Sequence, residues 1–212
     1  MKFLSLQKPI KMALLLCFSL TAISQSNSQD KDKQLDVTDA LFKCLTEMTK
    51  SSTGAYFVDN MLGDVAATVA VANSETGGEY PAGSVVSLIP SEVMIKHQDG
   101  WNAATNDWEF FELQVSEDGS TIGTRGFAEV NNRFGGNCFA CHLPARDPWD
   151  FICESDRGCE PIPIDRKMTG ALQRSDPRCG PAELQEGDSM ALWKLRAMAA
   201  IGAVQAWFKN LL

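Results

Sequence analysis

Two cysteines three positions apart, followed at once by a histidine, form the segment Cys138-Phe-Ala-Cys-His142. Thiols at this spacing can add to the two vinyl groups of a haem, and the neighbouring imidazole then lies under the iron as an axial ligand. Attachment of this kind leaves one face of the macrocycle on the peptide and the other free for a ligand or a protein group. The segment therefore predicts one covalent haem c. Cys138 and Cys141 are the thioether positions, and His142 is the proximal iron ligand.

The beginning of the chain agrees with that chemistry. Lys2, Lys8 and Lys11 precede an apolar run, Met12 to Ile23, that is too short to span a bilayer. The run reads as a signal peptide cut after Ser24, with Ser28 as the alternative site and an uncleaved anchor as the rival reading. Cys17 follows Leu16, not a small residue, so it is expected to leave with the signal unlipidated. The predicted location is the periplasm, where haem attachment of this type is completed and spare thiols pair. Removing residues 1–24 leaves 16 basic against 27 acidic residues, a balance of −11. Such a surface argues against nucleic acid as a partner. It suits a basic redox partner, although solubility alone explains it as well.

Six cysteines remain after the cut: Cys44, Cys138, Cys141, Cys153, Cys159 and Cys179. With two on haem, the other four make two disulfides in one of three pairings. The sequence does not choose among them; the pairing that ties both ends to the haem segment is Cys159 with Cys179 and Cys44 with Cys153. Two rivals compete for Cys138 and Cys141. One is a zinc site completed by Cys153 and Cys159, which an oxidising compartment opposes. The other is a dithiol redox site at a helix start, which would follow a strand in an alternation of strands and helices that this chain lacks.

The order of elements predicts an α+β fold, a small antiparallel sheet packed with helices. Residues 25–35 read as a flexible leader. Thr38 is placed to cap a helix with Leu41, Phe42, Leu45 and Met48 at three-to-four spacing. Ala66 to Ala72 reads as a strand, then Ser84 to Ile89, Glu92 to His97, Trp108 to Val115 and Thr121 to Phe127, with turns at Asp99-Gly100 and Asp118-Gly119. The haem motif follows the last strand, so residues 36–152 form the haem domain. Residues 153–212 are an extension rich in cysteine and proline, pinned by disulfides. It holds a short helix, Arg166 to Gln173, and a long apolar one, Met190 to Leu212. The long helix is expected to pack on the body or pair in a homodimer; membrane contact through an amphipathic face is the less favoured alternative.

Residues 66–152 carry a resemblance. Tyr80-Pro-Ala-Gly-Ser-Val-Val opens a strand; Val93-Met-Ile-Lys96, Asp107-Trp-Glu-Phe-Phe111, the Cys-x-x-Cys-His motif and Asp147-Pro-Trp-Asp-Phe151 follow in order. The series resembles the cytochrome P-460 family, including the β-type cytochromes c-prime. The resemblance implies a mono-haem centre, often five-coordinate, in proteins that bind nitric oxide or oxidise hydroxylamine. It carries over Cys138, Cys141 and His142. Hydroxylamine-oxidising members cross-link a lysine to the haem, and Leu88 stands at the aligned place here. Lys96 lies on the next strand and reads as solvent-facing.

The distal side is open to several readings. His97 is the only other histidine and the candidate distal ligand, with a solvated strand-end histidine as the ordinary alternative. Met94, Met61 and Met168 are methionine candidates. An apolar pocket from Phe110, Phe111 and Phe127 would leave the iron open to a small diatomic or nitrogen-oxide ligand such as nitric oxide. Arg125 and Arg133 are candidates to pair a haem propionate. The leading expectation is an exported mono-haem cytochrome with an open iron site. The alternatives are a six-coordinate electron carrier and an oxidoreductase acting on hydroxylamine or a related small nitrogen compound.

Overall fold

The computed structural model describes residues 30–209, other than Phe134 and Ser155, with side chains as far as Gly202. The expected signal peptide lies outside the described residues. Six strands form one antiparallel sheet in sequential order: Thr49–Lys50 (β1), Phe57–Asn60 (β2), Ser84–Ile89 (β3), Glu92–Lys96 (β4), Trp108–Ser116 (β5) and Gly119–Gly126 (β6). Among the described residues, four α-helices and two disulfides complete an α+β fold.

The central strands are apolar on both faces, because both faces are covered. Side chains alternate across a strand. Val86, Met94, Trp108 and Phe110 point into one core with Tyr56, Val58, Tyr80, Val130, Cys138, Phe151 and Ile152. Val85, Val93, Ile95, Phe111 and Leu113 point into the other, with Leu35, Val37 and Phe42. The first face carries the segment around Cys138; the second carries the N-terminal strap. Full burial of each such side chain contributes about 1.5–3 kcal/mol.

The strap is not the helix that its spacing predicts. Residues 38–48 form two short 3-10 turns, Asp39–Leu41 and Leu45–Glu47, and Thr38 makes no side-chain cap. Tertiary partners take the backbone groups a helix would use: Leu45 N donates to Asp176 Oδ2 (3.0 Å), and Phe42 O accepts from Ser120 Oγ (3.0 Å). Phe42 packs on Phe111 at 5.4 Å between ring centroids. The described part of the expected leader is also tied down. Asp30 N donates to Trp101 O at 2.9 Å, and Leu35 is buried.

Residues 65–72 form a helix, not a strand (Val65–Ala72, α1). Asp64 Oδ1 accepts from Ala67 N, and the alanines at 66, 67, 70 and 72 favour helix over the β-branched residues between them. Cys138–His142 is a short helix, α2. Arg166–Arg174 (α3) and Asp188–Lys209 (α4) match the two helices expected in the extension. Gln173 Nε2 ties α3 to the sheet through the carbonyls of Ala55 and Leu88, both at 2.8 Å. Arg174 ties α4 to α3 through two 2.7 Å bonds to Asp188, whose carboxyl it holds down at about 2. Among the described residues no helix is long and apolar enough to cross a membrane.

The disulfides are Cys44–Cys179 and Cys153–Cys159. Both differ from the pairing that would tie the two ends to the haem segment. The strap and the Pro177–Cys179 turn meet beside β6, whereas Cys153 has its partner six residues away.

Candidate functional site

Asn137 starts α2. Its Oδ1 accepts from Ala140 N at 2.9 Å, while its Nδ2 donates to the carbonyls of Phe127, Ala128 and Val130, each at 3.1 Å. One side chain therefore caps the helix and fixes it to the chain leaving β6. Cys138 N donates to Val130 O at 3.0 Å. The helix places Cys138, Cys141 and His142 on neighbouring positions of one face. Cys138 is buried and Cys141 exposed, and both thiols are free. A Cβ at Gly136 would lie 3.3 Å from Cys141 Sγ, so glycine there leaves room beside that sulfur.

His142 is half-buried. Its Nδ1 bonds to the carbonyl oxygen of Phe151 at 2.6 Å, so Nδ1 carries the proton. No described residue bonds to Nε2. Burial lowers the imidazole's pKa, although the Phe151 carbonyl opposes this, and the ring is neutral at pH 7. Its edge meets Phe110 at 5.4 Å, and Phe139 joins Phe110, Phe127 and Phe151 in one aromatic cluster.

These residues fit a covalently tethered haem. They offer two free thiols at the right spacing and a neutral imidazole. One ring nitrogen is oriented by a carbonyl, as iron-ligating histidines are, and an apolar aromatic wall stands beside the ring. They fit the rivals poorly. The Cys153–Cys159 disulfide removes two of the four thiolates a zinc site would need. Burial, reinforced by Glu92, pushes the Cys138 thiol up to about 12, the opposite of a dithiol redox centre. The convergence of Cys44, Cys179 and Asp176 is no metal site either. The two sulfurs are bonded to each other, and Asp176 accepts from Leu45 N and Arg178.

His97 is corrected as a distal candidate. Its Nδ1 accepts from Leu35 N at 2.8 Å, and its Nε2 donates to Glu109 Oε2 at 2.7 Å, so both ring nitrogens are spent. It is fully buried against Trp101, not solvated. By strand alternation it lies on the strap side of the sheet, across from His142. Arg125 belongs to the same cluster. It grips Glu109 through Nε (2.7 Å) and Nη2 (2.8 Å) and stacks over Phe111, which leaves it no propionate to pair. Of the three methionines, Met94 shares the core of Cys138 and Phe110, Met61 packs against the strap side, and Met168 lies beside α4. The three phenylalanines divide likewise: Phe110 and Phe127 face the Cys138–His142 segment and Phe111 does not.

Lys96 is not solvent-facing. It is 1% exposed, and its Nζ lies 2.9 Å from both oxygens of Asp150 and 5.4 Å from the Trp108 ring centroid. Asp150, which the sequence offered only as part of Asp147-Pro-Trp-Asp-Phe151 and with no role of its own, also accepts from Tyr80 N (2.8 Å), Asn106 Nδ2 (2.7 Å) and Trp108 Nε1 (3.1 Å). Parity was the usable signal. Lys96, Met94, Trp108 and Phe110 all fall on one face once β4 and β5 pair in register.

Protein-family models, curated proteins and solved structures, each compared with this chain, return no match.

Proposed function

We propose that this chain is an exported mono-haem c-type cytochrome that binds a small diatomic or nitrogen-oxide ligand, such as nitric oxide, at iron. The carrying observation is the arrangement at α2: two free thiols and a neutral imidazole whose Nδ1 is bonded to Phe151 O at 2.6 Å. Cys138 and Cys141 would hold the macrocycle through thioethers, and His142 would bind iron through Nε2. The haem would supply the iron at which the small ligand binds. The chain's own residues orient the imidazole through the Phe151 carbonyl and exclude water with Phe110, Phe127 and Phe139. Two disulfides are compatible with export to an oxidising compartment.

A second reading, a six-coordinate electron carrier, is favoured by one observation. Met94 is buried in the same core as Cys138, and thioether ligation there would raise the potential.

Protein exported alongside the haem-attachment machinery tests both readings. The first expects one haem by pyridine haemochrome, a mass raised by one haem, and a high-spin spectrum that shifts with CO or NO. A low-spin spectrum indifferent to CO selects the second reading. Cys138→Ser with Cys141→Ser is expected to abolish covalent colour. Colourless wild type at the mass of the bare chain overturns both readings.

A further inference from the structure

Asp150 receives five hydrogen bonds: two from Lys96 Nζ and one each from Tyr80 N, Asn106 Nδ2 and Trp108 Nε1. The next residue's carbonyl receives His142 Nδ1. We propose that Lys96, Asn106, Trp108 and Asp150 are a positioning unit for His142: they hold the Phe151 carbonyl against Nδ1 and so raise the imidazole's basicity toward iron. This inference rests on the haem reading above.

Three observations carry it. First, Asp150 and Phe151 both sit in the left-handed region, at φ 47° and 62°. Residues other than glycine held there are strained and persist only where their surroundings over-determine them. The bonds to the Asp150 carboxylate do so, with Asp150 N to Arg146 O (2.9 Å) and Phe151 N to Ala145 O (3.0 Å). Second, the charged donor and the indole donor belong to paired strands at one end of the sheet, and the other two lie in the segments that lead into strands. Lys96 closes β4, Trp108 opens β5, and Tyr80 precedes β3. The carbonyl is therefore referenced to the sheet and not to its own loop. Third, a buried ion pair is a weak stabiliser, and apolar residues of similar volume often serve stability as well or better. A pair only 1% and 3% exposed, one residue from the ligand's hydrogen-bond acceptor, is better accounted for by the geometry it imposes.

The chemistry has a definite sign. A carbonyl held firmly on Nδ1–H makes Nε2 a stronger donor, which favours ferric over ferrous iron. Loosening the unit weakens that bond and raises the reduction potential.

The test uses haem-loaded full-length protein. Lys96→Met with Asp150→Asn removes both charges together and avoids leaving one buried and alone. Asn106→Gly, at a left-handed position, and Trp108→Phe each remove one donor and cover the case in which the double variant fails to fold. Haem content is measured first. The readouts are the ferrous iron–histidine stretching frequency (the ferric Nδ1–H resonance if the haem is low-spin) and the reduction potential. The double variant is expected to lower the stretch and shift the ferrous-to-ferric ratio about tenfold toward ferrous, about 59 mV for one electron. The single variants move the same way by less. Haem-loaded variants that melt lower but keep the wild-type stretch and potential overturn the positioning role alone. Wild type without haem overturns the haem reading, and this role with it.

Discussion

Glu109 shows how much one buried carboxylate can organise. It is 3% exposed and takes bonds from both His97 and Arg125. Burial alone would raise its pKa, but those two partners together outweigh it and leave the carboxyl below its usual range. Replacing it as Glu109→Gln removes the charge that pairs the guanidinium and leaves one acceptor oxygen where His97 and Arg125 share two. Breaking a buried pair costs about 3–5 kcal/mol, and Arg125, a third exposed, brings the expectation down to about 2–3 kcal/mol by urea unfolding at pH 7. A carboxylate with a depressed folded pKa contributes stability above its unfolded value, about 4.3, and loses it as pH falls through the folded value. The gap between wild type and variant should therefore close in acid; a gap that holds constant below pH 4 would refute this account. The spectrum of the proposed haem should not change, because His97 lies across the sheet from His142. The thiol spacing made the candidate attachment residues, Cys138 and Cys141, legible in the sequence. The fates of His97 and Lys96 were not, because they depend on which face each strand position meets and on what covers that face.

At the scale of elements, alternation and turn residues revealed β3 to β6, because Pro81-Ala-Gly83, Asp99-Gly100 and Asp118-Gly119 bracket them. β1 and β2 were missed; Phe57-Val-Asp-Asn is too short to show a period. α1 was misread because its threonine and valines favour strands, while the cap that starts it is a single aspartate outside the apolar run. The strap's three-to-four spacing was real but served a different end, laying Leu41, Phe42 and Met48 on the sheet. Disulfide connectivity is unreadable in principle from spacing alone, and it decides which elements are braced. Cys44–Cys179 closes a loop of sequence separation 135 and Cys153–Cys159 one of 6. Loop-closure entropy gives about 5 kcal/mol for the first and about 2 kcal/mol for the second. Cys44→Ala with Cys179→Ala should therefore lower the urea midpoint by roughly twice as much as Cys153→Ala with Cys159→Ala. Equal losses would show that the long bridge's greater span adds nothing over the short one, the Asp176 contacts beside it already holding those segments together.

The molecule as a whole is a sheet with two unlike coats. One coat is the Cys138–His142 segment, with α1, Phe151 and Ile152; the other is the strap, from Leu35 to Met48. Sheet stability is drawn from both, whereas the proposed chemistry is drawn from one. A lesion in the strap should therefore act on folding and leave the surroundings of the proposed haem alone. Leu35→Ala with Val37→Ala truncates two buried side chains on the far face. Large-to-small changes of this kind cost about 2–5 kcal/mol for leucine, with a smaller loss for valine, depending on how far the site collapses. The expected outcome is a lower melting temperature together with an unchanged absorption spectrum and an unchanged affinity for CO or NO. The coupling that could defeat this runs through β4. Ile95 faces the strap, and its neighbour Lys96 faces Asp150. If the strap variant moves the iron–histidine stretch as well as the melting temperature, the two faces are joined through that strand, and the sheet transmits what it was expected to isolate.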